Sequence, residues 1–208
     1  EGGGSTASGE YSHAEGVNCF ASGTGSHAEG AAATSPGNYS HAEGYFTYSY
    51  NEYSHAEGYE TTSFGSNSHS EGFQTYAGGS SSHSEGFETI STGSYSHAEG
   101  YRTKSLGEAS HAEGKETISS GNNSHAEGVG TLSLGIGSHA EGGYFTLSPF
   151  FIYSGGTAHG SGSHAEGRQT FSYGGVSHSE GEFTVASGNS SHSEGVSTLT
   201  IGYGSHAE

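Results

Sequence analysis

Small and larger residues alternate along this chain, and the alternation repeats with a fixed period. The motif Ser-His-(Ala/Ser)-Glu-Gly recurs with its histidine at His13, His27, His41, His55, His69, His83, His97, His111, His125, His139, His164, His178, His192 and His206. Each step is 14 residues except His139 to His164, which is 25. Between the motifs runs a second pattern, Thr-x-(Ser/Ala)-x-Gly-x-x. Clear copies are Thr61-Thr62-Ser63-Phe64-Gly65, Thr103-Lys104-Ser105-Leu106-Gly107 and Thr131-Leu132-Ser133-Leu134-Gly135. Both patterns fit one template: hydroxyl or small residue, x, small, x, Gly, x, x. A repeat at this scale is the signature of a solenoid.

One 14-residue unit therefore predicts one coil, with two short strands and two tight turns. Strand side chains alternate between faces. Ser12, Ala14 and Gly16 then point one way, and His13 and Glu15 the other. The same parity puts Thr61, Ser63 and Gly65 on the inner face. Small inner residues let two strand layers approach closely, which is why Leu and Phe are missing there. The glycine that ends each half is expected at positive φ, where glycine alone is unstrained. Asn51 stands at one such position, and Asn best tolerates that region among the other residues. Helices are excluded, because glycine recurs too often and the pattern has a spacing of two rather than three and four.

Stacked coils should pair through their backbones at about 4.8 Å, so that fourteen of them predict a rod roughly 65–70 Å long. The reading is one all-β, parallel β-solenoid over residues 1–208, with an insertion at about 143–162. Composition makes the interior thin: 28% of residues are apolar, 39 are glycine, and Trp and Met are absent. Burial within one chain looks too small to offset an ordering entropy of about 1–2 kcal/mol per residue. Side-by-side association of several chains, with cyclic symmetry, is expected to supply the remainder.

These residues resemble the head repeats of YadA-like trimeric autotransporter adhesins, and similar repeats occur in phage tail fibres. The shared pattern is Ser-x-Ala-x-Gly-x-x-Thr-x-(Ala/Ser)-x-Gly-x-x at a 14-residue period, over nearly the whole chain. The resemblance implies a left-handed parallel β-roll, a homotrimer, and a fibrous or adhesive role at a cell surface or on a virion appendage. The chain departs from the family where His and Glu flank the central Ala, as in His97-Ala98-Glu99, since the family has apolar residues there.

Stacking also predicts two outward columns. One holds the histidines named above. The other holds Glu15, Glu29, Glu43, Glu57, Glu71, Glu85, Glu99, Glu113, Glu127, Glu141, Glu166, Glu180, Glu194 and Glu208. Three readings of them stand open. They line an inter-chain seam; or they form a solvated face kept uniform by recent duplication; or they hold metal ions. In the metal reading, His and Glu two apart make a poor chelate within one chain. Sites such as His41 with Glu43, or His97 with Glu99, would then need a ligand from a second chain.

The net charge is −18 with histidine neutral, against four Lys and Arg. Nucleic acid and anionic membrane surfaces are thereby excluded as partners. No apolar run approaches a membrane span. No signal peptide is read at the start, and the chain stops inside a motif copy, so it is expected to be a piece of a longer extracellular fibre. Protonating all 15 histidines would bring −18 to −3. Assembly or melting is therefore expected to change between about pH 5 and 7.

Other outward positions form an aromatic column (Tyr45, Tyr59, Phe73, Phe87, Tyr101) and a mixed one (Tyr76, Ile90, Ile118, Leu132, Phe171, Val185, Leu199). Cross-coil stacking is the structural reading of both, and a flat platform for glycans is the other. Within the insertion, Phe150, Phe151, Ile152 and Tyr153 form an apolar cluster. It either packs on a neighbour or meets a surface glycan or host receptor. Cys19, in a Thr position, reads as a small apolar filler. No catalytic site and no cofactor are expected, because Ser and His are adjacent in sequence and point to opposite faces.

Overall fold

A computed structural model describes residues 2–143 and 155–208. The chain is an all-β, parallel β-solenoid of about 14 coils, with no helix among the described residues. It divides into two compact units, Glu1–Tyr101 and Arg102–Glu208. In the first, seven short strands run from Thr6–Ala7 to Ile90–Ser91, and seven longer ones from His13–Val17 to His97–Tyr101. In the second, seven short strands run from Lys104–Ser105 to Leu199–Thr200. Seven partners to them run from His111–Lys115 to His206–Ala207.

Within each unit the two strand types form separate parallel sheets in the register set by the repeat. In the first unit His55 faces His69, Glu57 faces Glu71 and Tyr59 faces Phe73. In the second, Ile118 faces Leu132. Residues spaced by two turn inward, as expected, except that the glycine closing the first half, also expected inside, is part-exposed at Gly58 and exposed at Gly72 and Gly86. Ser54, Ala56, Thr61 and Ser63 are at most 1% exposed, whereas His55 is half-buried and Glu57 and Phe64 are exposed. Among the described residues the fully buried side chains never exceed threonine in size. Cys19 fills a Thr position and is buried, in keeping with its reading as a filler.

Such an interior is held as much by hydroxyls as by apolar contact. In the second half of a coil, Ser63 Oγ meets Ser68 Oγ at 2.6 Å, and Ser68 Oγ donates to the Gly65 carbonyl at 2.5 Å. In the first half the outcome depends on the residue after histidine. Where it is serine, it reaches the threonine five positions on, as in Ser70–Thr75 at 2.7 Å and Ser84–Thr89 at 2.8 Å. Where it is alanine, the Thr47, Thr61, Thr103, Thr131 and Thr170 hydroxyls have no partner. Thr117 escapes by donating to the Glu113 carbonyl at 3.1 Å. The sequence carries this signal in the Ala/Ser alternation of the motif.

The turns correct one expectation. Glycines of the first half do sit at positive φ, as Gly58 does at 116°. Those of the second half do not, and Asn51 is likewise outside that region. What demands glycine there is the next coil: a Cβ on Gly65 would lie 1.9 Å from the Gly79 carbonyl oxygen. Asn51 is accommodated at an exposed edge, with its amide donating to the Phe64 carbonyl. The left-handed positions fall instead mostly on non-glycine residues, two per coil, such as Tyr53 at 58° and Glu60 at 52°. Their N–H groups donate to the preceding coil, Tyr53 to Asn38 at 3.0 Å and Glu60 to Tyr45 at 2.8 Å. A hydrogen bond repeated at every coil offsets conformations that L-residues otherwise avoid.

The insertion is narrower than the 143–162 expected. Leu132 pairs directly with Thr157, and His139 with His164. Thr157–Ala158 is thus an ordinary short strand of the next half-coil, and the described residues from Gly155 onward belong to the coil. Phe150, Phe151, Ile152 and Tyr153 lie outside the described residues.

Candidate functional site

The most regular outward feature is the histidine and glutamate ladder. Parity turns both side chains away from the hydroxyl interior, and the 14-residue register sets each above its counterpart. In the first unit the imidazoles of His27, His41, His55, His69, His83 and His97 stack at 4.7–4.8 Å between centroids, with ring planes within 7° of parallel. His13 is tilted by 58° against His27. In the second unit the stack runs from His111 to His206 at 4.7–4.9 Å. The 25-residue step leaves it unbroken: His139 and His164 stack at 4.8 Å and 2°. This separation is the spacing of paired strands.

Glutamate flanks each imidazole on its Nε2 edge. In the first unit each carboxylate lies against the histidine of its own coil, at 3.4 Å for His13 and Glu15, 3.8 Å for His41 and Glu43, and 3.5 Å for His97 and Glu99. In the second unit some carboxylates also reach a neighbouring coil. Glu141 places Oε2 3.9 Å from His139 and Oε1 3.7 Å from His164. Glu194 does the same with His192 and His206, at 3.6 Å each. These separations exceed a hydrogen bond. The Nε2 atoms of His55, His69, His83, His139 and His164 are buried without a hydrogen-bond partner.

Burial of the rings favours their neutral form. His27, His55 and His83 are shifted below the usual histidine value, first by desolvation, then by the imidazoles above and below, with nearby glutamates opposing. For His164 the same causes bring the pKa down to about 4. Beside the ladder, the outward glycine column leaves an open groove of about 520 Å³, lined by Glu57, Gly58, Glu71, Gly72, Glu85 and Gly86.

The aromatic column stacks as expected. Tyr45, Tyr59, Phe73, Phe87 and Tyr101 follow one another at 4.9–5.1 Å and within 16° of parallel. Each ring covers the face of the next, so the column turns edges, not faces, to solvent. A sugar platform needs open faces, and this column offers few. His159 takes the regular position before Gly160, donating its N–H to the Ser172 carbonyl at 2.9 Å, and stacks on Tyr173 at 4.9 Å. Between the terminal coils the serine of the motif is buried while its histidine faces outward, as with Ser54 and His55; the two do not converge.

The sequence placed both columns correctly, but it missed that one carboxylate can serve two coils. That reach depends on side-chain torsions, which no residue pattern records. Compared with known proteins, the chain matches no family model and no curated relative.

Proposed function

We propose that this chain is a structural, non-catalytic segment of an extracellular fibre or surface appendage, built as a left-handed roll of the YadA-like kind and associating as a homotrimer. The observation that supports it most is the interior. Among the described residues no fully buried side chain is larger than threonine, and a solenoid of such thin coils gains from burial between chains. The uniform ladder gives that association a face. Neutral imidazoles beside carboxylates can hydrogen-bond across a seam, and the same contact repeats at each coil. Adhesion, where it occurs, belongs to decorations of the shaft.

Light scattering on the purified chain tests the assembly, and electron microscopy of the native particle tests the role. Three chains per particle and long filaments are expected. A short shaft attached to a larger capsid-like body would favour the tail-fibre form of the reading, and a monodisperse monomer would remove the trimer.

A further inference from the structure

We infer that the histidine and glutamate ladder of a single chain is a linear binding site for Zn²⁺-like divalent cations, each held by one imidazole Nε2 and carboxylates of the same and the preceding coil. This uses the donors of one chain; they are the same groups that the self-association proposed above would place at a seam, so the two readings compete for one face.

Stacked histidines cannot share an ion. A metal lies in the plane of the imidazole that binds it, and stacked rings only 2° from parallel, as for His139 and His164 with centroids 4.8 Å apart, have no common in-plane point near both nitrogens. Each ion must therefore belong to one histidine, and its further donors must be oxygens. Around His139 Nε2 stand Glu127 Oε1 at 3.3 Å and Glu141 Oε2 at 3.9 Å. A tetrahedral ion with bonds of about 2.0–2.1 Å spans donor-to-donor edges of roughly 3.3–3.4 Å. The nearer pair already has this separation, and a small rotation of the part-buried Glu141 carboxylate supplies the other.

Three further features agree. The Nε2 atoms of His139 and His164 have no hydrogen-bond partner, so their lone pairs are free to bind. Glu141 offers its second oxygen to His164 at 3.7 Å, so one carboxylate can bridge ions on successive coils. A column of carboxylates on a chain of net charge −18 also repels itself, and cations between them relieve that repulsion. One imidazole and two carboxylates suit a borderline ion such as Zn²⁺ better than Ca²⁺ or Mg²⁺, which take oxygen alone.

The test is calorimetric titration of ZnCl₂ into the tag-free chain, with Co²⁺ as a spectroscopic substitute. Several Zn²⁺ per chain and the intense visible bands of tetrahedral Co²⁺ are expected. A second chain carries Gln in place of Glu113, Glu127, Glu141, Glu180 and Glu194, which keeps side-chain size and every histidine. It should bind at most half as many ions, with its strand content unchanged by circular dichroism. Unchanged capacity in that variant would overturn the inference, since histidine alone would then hold the metal. So would one ion or none per unaltered chain, or the weak bands of octahedral Co²⁺. Should the variant fail to fold, the Co²⁺ spectrum of the unaltered chain decides.

Discussion

Ser70 and Thr75 face each other across the coil interior with their hydroxyl oxygens 2.7 Å apart. The same threonine position in the preceding coil, Thr61, has Ala56 opposite it and no partner for its hydroxyl. A buried hydroxyl without a partner costs about 1–3 kcal/mol, and a hydrogen bond returns about 0.5–1.5 kcal/mol. The Ala56→Ser substitution should therefore stabilise the chain by about 1 kcal/mol. Ser70→Ala should destabilise it by a similar amount. Urea unfolding of both variants checks the pair. If both shift in the same direction, pairing is not what controls the difference.

Val176 is a β-branched residue at φ 54° and is 71% exposed. Its N–H donates to the Ser161 carbonyl at 2.9 Å, a bond glycine would keep. Relief of left-handed strain, about 1–2 kcal/mol, exceeds the added freedom of the unfolded chain, about 0.4–1 kcal/mol. Val176→Gly should accordingly raise the melting temperature, against the usual effect of adding glycine. A lower melting temperature would show that the side chain contributes packing beyond its exposed position.

Gly65→Ala should do the opposite. Its Cβ would meet the Gly79 carbonyl oxygen at 1.9 Å, and backbone cannot yield as a flexible side chain would. The expected loss is about 3 kcal/mol or more, or failure to fold. Soluble expression and thermal melting would register either result, and near-normal melting would mean that the coils can separate locally.

Acid should weaken the folded chain. A histidine whose folded pKa lies below its unfolded value binds fewer protons when folded. Stability is then whole above the unfolded value, about 6.5, and falls as pH drops toward the folded value. For His164 that value is about 4, and His27, His55 and His83 shift in the same direction. Melting temperature in chelator-treated buffer should decline steadily from pH 6.5 to 4. A flat profile across that window would count against neutral, desolvated imidazoles.

Removing residues 144–154 joins Gly143 to Gly155 and restores the 14-residue step. Since Leu132 already pairs with Thr157, the deletion should leave the circular dichroism spectrum and melting temperature nearly unchanged. If the native chain binds a glycan array and the shortened one does not, recognition lies in the removed segment. Retained binding would place it on the coils.

The coil, its register and its inward face were legible because each is a property of spacing. Ser54, Ala56, Thr61 and Ser63 declare the interior by being small at every second position. The left-handed turns were not legible, because residues as different as Tyr53, Glu60 and Val176 occupy them. A backbone hydrogen bond to the preceding coil holds those turns, and it leaves no mark on side-chain choice. Asn51 suggested the wrong cause for a real constraint. Glycine recurs there because a neighbouring carbonyl is close, and Asn51 stands at an exposed edge where a larger side chain has room.

The corner between Gly143 and Gly155 has a further consequence. His139 stacks on His164 as closely as any other pair, although 25 residues separate them in sequence. The extra residues between them in sequence leave the pairing above and below undisturbed. Equivalent corners occur throughout the chain, so each is a port where a foreign segment can be grafted without changing the pitch. Evolution, or an engineer, can thus vary what the coils display while leaving the coils themselves alone.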